Sequence, residues 1–330
     1  MSEKPIRVAV VGLGKMGLLH TSILNILPNV QLAAICEKNS FTRKIGKKVI
    51  QNVPIVEDVS DFKGLNVDAV YVTTPISSHY AVAKTVYQQD IAPHVFVEKP
   101  LSGNASQSKE LVDFADKIKG VNMVGYLRRF YVTFQKAKEL LDSNAIGEPK
   151  SFQINAYSAD FVGVHDPEAS IARGGVLKDL GSYAIDMAFW FFKDFQITSA
   201  KTESLTGKDA EDSVNFTVKQ DGSALEGDFS VSWCKEGFRM PEVGIKVTGS
   251  NGIMEVNDDQ VSLTKNGVGK NTWFRMDLND KVGFWLGNPE YYREDLQFIE
   301  AIKTGAIVEP SFATSAKVDE LIETIQKKAN

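Results

Sequence analysis

Short, continuously apolar runs alternate with longer amphipathic ones through the first third of the chain. Ile6–Val11 is β-branched and apolar almost throughout, the pattern of a strand covered on both faces. Met16–Leu27 then takes up helical periodicity, and Pro28-Asn29 stops it. Gln31–Cys36, Asp68–Thr73, His94–Val97 and Val121–Gly125 repeat the strand pattern. Helices are predicted between them over Phe41–Val49, Ser78–Gln89 and Ser106–Ile118. Such alternation predicts a parallel sheet wrapped by helices.

After about residue 122 the rhythm changes. Helices are predicted over Val132–Leu141 and Tyr183–Phe191, and an alternating strand over Ser151–Ser158. Val214–Lys219 and Ala224–Trp233 flank an Asp-Gly turn, a strong hairpin signal. Val243–Thr248, Ile253–Val256 and Val261–Leu263 continue the meander, and helices over Tyr292–Lys303 and Ala316–Lys327 close the chain. The expected architecture is an α/β domain over residues 1–121 followed by an α+β domain over 122–330. The second would hold a large, mainly antiparallel sheet with one face open, and its last helix could pack back on the first domain. The aromatic run Phe189–Phe192 reads as core or oligomer interface.

A length of 330 residues supports two cores better than one. A net charge of −5 gives no electrostatic reason to expect nucleic acid or an anionic membrane as partner. Two cysteines, Cys36 and Cys234, are too few for a disulfide framework, and no pair of the four histidines has metal-ligand spacing. The first residues lack the apolar stretch of a signal peptide, and no later run could span a bilayer, so a cytoplasmic location is expected.

The sharpest local signal is Gly12-Leu13-Gly14-Lys15-Met16-Gly17, directly after the first strand and opening the first helix. Glycines there allow a tight turn and close approach of backbone to a pyrophosphate, and the helix N-terminus offers free N–H groups to it. Glu37 ends the second strand 20 residues past Gly17, where an acidic side chain can accept hydrogen bonds from a ribose 2′-hydroxyl. That favours NAD. Lys38 and Arg43 lie close enough in sequence to pair with a 2′-phosphate, so NADP stays open.

Two further segments complete a pattern: Thr73-Thr74-Pro75-Ile76-Ser77-Ser78-His79 and Val97-Glu98-Lys99-Pro100-Leu101. With Arg173-Gly-Gly-Val-Leu-Lys-Asp179-Leu-Gly-Ser-Tyr183 and the closing Tyr291–Gly305 segment, the chain resembles the glucose–fructose oxidoreductase / inositol dehydrogenase (Gfo/Idh/MocA) family over nearly its whole length. The resemblance implies an N-terminal Rossmann domain and an NAD(P)-dependent oxidoreductase acting on a sugar, sugar derivative or cyclitol. It adds Thr74, Pro75, His79 and Glu98 to the cofactor contacts, with His79 supporting the cofactor loop. Lys99 would lie by the nicotinamide and the reacting hydroxyl, and proline after it favours an extended backbone.

The family's second catalytic motif carries Asp and, four residues on, His; here the positions are Asp179 and Tyr183. A phenol both donates and accepts, but titrates near about 10 when unperturbed, so it needs a positive neighbour such as Lys99 to act as a base. The bland readings are a helix N-cap for Asp179 and a structural hydrogen bond for Tyr183. His20 reads as packed or capping. Arg128, Arg129 and His165 are candidate substrate contacts. An NAD-dependent glycosidase and a catalytically silent regulator of the same fold remain as alternatives. A homodimer or homotetramer through the open sheet face is the expected assembly.

Overall fold

A computed structural model describes residues 4–163, 173–206, 210–278 and 289–329. By its contacts the chain divides into two compact units, Met1–Tyr126 with Tyr291–Asp319, and Leu127–Glu290 with Glu320–Asn330. Among the described residues no helix is long and apolar enough to cross a membrane.

The first unit is built on six parallel strands in the order β3-β2-β1-β4-β5-β6: β1 Ile6–Val11, β2 Val30–Cys36, β3 Ile55–Val56, β4 Ala69–Val72, β5 His94–Glu98 and β6 Asn122–Gly125. Val8, Val10, Ala69–Val72 and Val95–Val97 are fully buried, as continuous apolar runs require. The connecting helices are α1 Lys15–Ile26, α2 Ser40–Val49, α3 Ile76–Gln88 and α4 Ala105–Ile118. Strand order reverses between β1 and β4, and right-handed crossovers put α1 and α2 on one face and α3 and α4 on the other. The carboxyl ends of β1 and β4 therefore border the crevice where such sheets bind ligands. The two-residue β3 was not in the strand pattern.

The chain's last third contributes to this unit. Helix α7, Pro289–Thr304, sets Phe298 edge-on against Tyr71 and Phe96, with ring centroids at 5.4 and 5.8 Å. The Val124 amide donates to Pro310 O at 2.9 Å, and the Phe312 amide to Asn122 Oδ1 at 2.8 Å. Phe312 opens α8, Phe312–Ala329.

The second unit holds an eight-stranded sheet ordered β14-β13-β12-β11-β7-β10-β9-β8. The strands are β7 Pro149–Tyr157, β8 Gln196–Glu203, β9 Ser213–Lys219, β10 Glu226–Ser232, β11 Glu242–Gly249, β12 Gly252–Val256, β13 Gln260–Lys265 and β14 Gly269–Phe274. Pairing is antiparallel except between β7 and β10. The Asp221-Gly222 turn joins β9 to β10, with Gly222 at φ +69°. The edge strands β8 and β14 escaped the sequence pattern.

Helix α5, Val132–Asp142, and helix α6, Ser182–Phe192, belong to the same unit. Phe192 stacks on Phe152 of β7 at 4.2 Å, so the end of the aromatic run is core. The opposite face of the sheet is polar: Gln153, Asn155, Asn215 and Asp228 are exposed, and Thr217 and Ser230 half-buried. The period-2 alternation of a half-covered sheet separates the two sets.

Candidate active site

In the first unit, a cavity of about 590 Å³ opens at the ends of β1, β2 and β4, lined among others by Gly12, Gly14, Glu37, Lys38, Thr74 and Pro75. Gly12 adopts φ +96° and its amide donates to Cys36 O at 2.8 Å. A β-carbon on Gly17 would lie 1.8 Å from Gly12 O and 2.9 Å from Thr73 Oγ1, whereas one on Gly14 would meet nothing within 4 Å. One glycine thus packs helix to loop, and the other leaves the loop open. Helix α1 has no side-chain cap at Gly14, so the amides of Lys15, Met16 and Gly17 in its first turn have no intrahelical partner and face outward. These features fit a dinucleotide pyrophosphate.

Gly17→Ala is expected to push the Gly12 carbonyl out of place. The cost is about 1–3 kcal/mol of stability, as for overpacking in general, together with loss of measurable NAD binding in a fluorescence titration. Wild-type affinity in the alanine variant would contradict the assignment of the cradle.

Glu37 is held by its own neighbourhood: Oε2 accepts the Leu13 amide and Oε1 the Asn39 amide, each at 2.7 Å. The carboxylate is fixed at the cavity wall, and each oxygen keeps a further lone pair for a ribose hydroxyl. Glu57 and Asp58 line the same wall. Arg43 is committed, pairing with Glu57 at 2.6 Å and donating to the carbonyls of Glu37 and Lys38 at 2.7 and 3.0 Å. Lys38 is exposed at the rim.

The Thr73 hydroxyl donates to the carbonyl of Val11 or Gly12, at 3.0 and 2.9 Å, and ties the β4 loop to the glycine loop. His79 is buried, with its ring nitrogens 2.8 Å from Pro100 O and 2.7 Å from Thr74 O. Burial pulls its imidazole below the ordinary value. It braces the Thr74-Pro75 and Pro100 loops from inside. Lys99, at the carboxyl end of β5, is half-buried, and its peptide bond to Pro100 is cis. Glu98 faces inward: Oε2 accepts the Lys99 amide at 3.2 Å, and Oε1 lies 3.0 Å from Nε2 of His20. Sequence reasoning did not pair His20 with Asp295 and Glu98, nor Asp319 with Ser102, Gly103 and Ser108.

In the second unit, Asp179 sits in a single π-helical turn, Leu177–Gly181, that leads into α6. Such turns recur at functional sites. Its side chain is not an N-cap; Oδ2 accepts the Trp233 indole N–H at 3.2 Å and lies 3.6 Å from the Arg173 guanidinium, which also reaches Asp160 at 2.5 Å. Tyr183 is half-buried on the first turn of α6 with the Arg128 guanidinium 5.4 Å from its ring centroid. Arg128 is buried and committed: it donates to Tyr131 Oη at 2.9 Å and Pro241 O at 2.5 Å and pairs with Asp258 at 3.1 Å. Burial pushes the Asp258 carboxyl up to about 7 against the pull of Arg128. Arg129 is bound bidentately by Asp186 at 2.6 and 2.9 Å, which occupies its fork. His165 lies outside the described residues.

Burial pushes the thiols of Cys36 and Cys234 up to about 12 and about 11, which leaves neither as a thiolate at neutral pH. Among the described residues no group of His, Cys, Asp or Glu could hold a metal ion.

A parallel sheet with a glycine cradle, an acidic residue at the second strand and a lysine at a strand's carboxyl end defines a dinucleotide-binding protein of the oxidoreductase class. Residues 6–126 match the model described as "Oxidoreductase family, NAD-binding Rossmann fold", and residues 134–255 the GFO/IDH/MocA C-terminal domain. The chain belongs to the GFO/IDH/MocA family, and its first unit is that family's NAD-binding domain. It is 27% identical to myo-inositol 2-dehydrogenase of Thermotoga maritima over 55% of this chain and 53% of that one. It is 23% identical to inositol 2-dehydrogenase of Rhizobium meliloti over 98% of each. The aligned stretch thus spans about half the length of the first relative and nearly all of the second. A levoglucosan dehydrogenase solved with NADH and levoglucosan shares the fold, with a TM-score of 0.85 at 21% identity over 98% of this chain and 97% of that one.

Proposed function

We propose that this protein is an NAD-dependent dehydrogenase acting on a hydroxyl carbon of a sugar, sugar derivative or cyclitol. The observation that carries the reading is the cradle of Gly12–Gly17 on the same sheet edge as Lys99, one strand beyond β4. The inositol and levoglucosan dehydrogenases among the relatives support the substrate class. NAD, when bound, supplies the hydride acceptor at its nicotinamide C4.

The protein's own groups do the rest. The first-turn amides of α1 hold the pyrophosphate, and Glu37 accepts the adenosine ribose hydroxyls. Lys99 and Tyr183 serve as the acid–base pair for the substrate hydroxyl proton. Asp179, fixed by Trp233 and Arg173, orients the substrate. Arg128 acts as a positioning residue: its guanidinium lies over the Tyr183 ring, and Tyr131, Pro241 and Asp258 hold it there.

A panel of inositols, free sugars and nucleotide-sugars, assayed for reduced cofactor with NAD⁺ and NADP⁺, tests the reading. Stoichiometric NADH from at least one polyol is expected. NAD⁺ should be favoured over NADP⁺ by about tenfold or more, because Glu37 and its acidic neighbours oppose a 2′-phosphate. Aryl-glycoside cleavage without net NADH, or no turnover across the panel, would overturn it.

A further inference from the structure

Among the described residues, the His20 ring makes its hydrogen bonds to carboxylates alone. Nδ1 lies 2.8 and 3.0 Å from the two oxygens of Asp295, and Nε2 lies 3.0 Å from Glu98 Oε1. His20 and Asp295 are fully buried and Glu98 is nearly so. The rings of Tyr71, Phe96 and Tyr291 pack around the imidazole at 5.5, 5.3 and 5.8 Å. Burial pushes the Asp295 carboxyl up while the charge of His20 pulls it down; with both carboxylates ionised they only accept, so each ring nitrogen donates and the ring is an imidazolium. Burial alone would push it down, but the attraction of Asp295 and the bonds to both carboxylates hold it well above the ordinary histidine value.

For packing alone this is a poor solution, since well-packed apolar side chains of similar volume are often as stable as a buried ion cluster. The cluster's connections suggest what it does instead. His20 stands on α1, one turn beyond Gly17, so the element that presents amides to pyrophosphate also carries the imidazole. Glu98 passes the connection on, because its other oxygen accepts the Lys99 amide. On the far side of Lys99-Pro100, Asp319 Oδ2 accepts the amides of Ser102 and Gly103, each at 3.3 Å, and the Ser108 hydroxyl. Two carboxylates from the chain's last two helices thus brace Glu98–Gly103, one directly and one through His20.

We propose that Asp295, His20 and Glu98 form a buried carboxylate–imidazolium–carboxylate relay that positions Lys99 against the bound cofactor. The proposal rests on the dehydrogenase reading for its use of Lys99. His20 and Asp295 touch neither substrate nor cofactor in it; they are positioning residues. The physical logic is registration: α1 fixes the pyrophosphate, and the relay fixes how far from that anchor Lys99 sits. A misplacement of about 1 Å at a reacting group can cost about a hundredfold.

The test uses the full chain and reads Lys99 directly, by trace acetylation with acetic anhydride and mass spectrometry, with exposed Lys47 as internal reference. In the wild type, saturating NADH should slow labelling of Lys99 about tenfold or more. In the double variant His20→Gln, Asp295→Asn, which leaves Glu98 in place, NADH should still bind by fluorescence but protect Lys99 less than about threefold. Its kcat on the best panel substrate should fall while KM stays near the wild-type value. If the double variant does not fold, Asp295→Asn alone keeps a hydrogen-bond acceptor for Nδ1 and should lose part of the protection. Wild-type protection and kcat in a folded variant would overturn the relay. No protection in the wild type would overturn the cofactor reading beneath it.

Discussion

Lys99→Met should lower turnover by about 10²–10⁴-fold, the usual contribution of a positioned acid or base, while NADH binds nearly as tightly as to the wild type. Methionine keeps the unbranched stem and removes the ammonium. The proposed pyrophosphate cradle uses the first-turn amides of α1, and the proposed ribose contact is Glu37, whose carboxylate the Leu13 and Asn39 amides hold. Binding and chemistry should therefore separate. NADH formation on the panel substrate measures the first effect, and cofactor fluorescence titration the second. Turnover within threefold of wild type would remove Lys99 from the mechanism. A parallel loss of NADH affinity would instead make it a binding residue.

The largest stability effect is expected at the Arg129–Asp186 pair. Arg129 follows Arg128 in a 3-10 turn, Leu127–Phe130, while Asp186 lies on α6 three residues after Tyr183 and is fully buried. Arg129→Leu takes the bidentate guanidinium away from that buried carboxylate, a loss of about 3–5 kcal/mol. In a unit of this size that corresponds to a fall in melting temperature on the order of 10 °C. Replacing both partners, Arg129→Leu with Asp186→Leu, should recover most of it, because the desolvated charge goes with its partner. Calorimetry on the two variants checks the sign and the recovery. A single variant as stable as wild type would show that Asp186 finds another partner. Because α6 carries Tyr183, the single variant should also lose turnover.

Much of this was legible in the residue pattern. The run Ile6–Val11 followed by Gly12–Gly17 specified strand, loop and helix together, and α1 begins and ends within a residue of the prediction. Asp-Gly at 221–222 marked the β9–β10 hairpin. What escaped were elements whose residues lack an apolar signature. β8 and β14 are the two edges of the eight-stranded sheet, and five of the six residues of β14 are exposed. An edge strand tolerates polar residues because one side has no partner to pack against. β3, two residues long, is too short for any periodicity to register.

At the candidate site, the residue types were readable and their partners were not. Glu37 was named by its spacing from the glycine loop, and Lys99, Asp179 and Tyr183 by the motifs that carry the family resemblance. Local sequence could not tell that Arg128 pairs with Asp258 and Arg129 with Asp186. Nor could it pair His20 with Glu98 and Asp295, which lie 78 and 275 positions away. Hydrophobic periodicity and turn chemistry act over a few residues, so the sequence by itself determined the order of elements, the cofactor loop and the identity of the chemical groups. The charge of a buried imidazole and the reach of a guanidinium depend on which carboxylate folding carries beside it, and only the tertiary structure decided that.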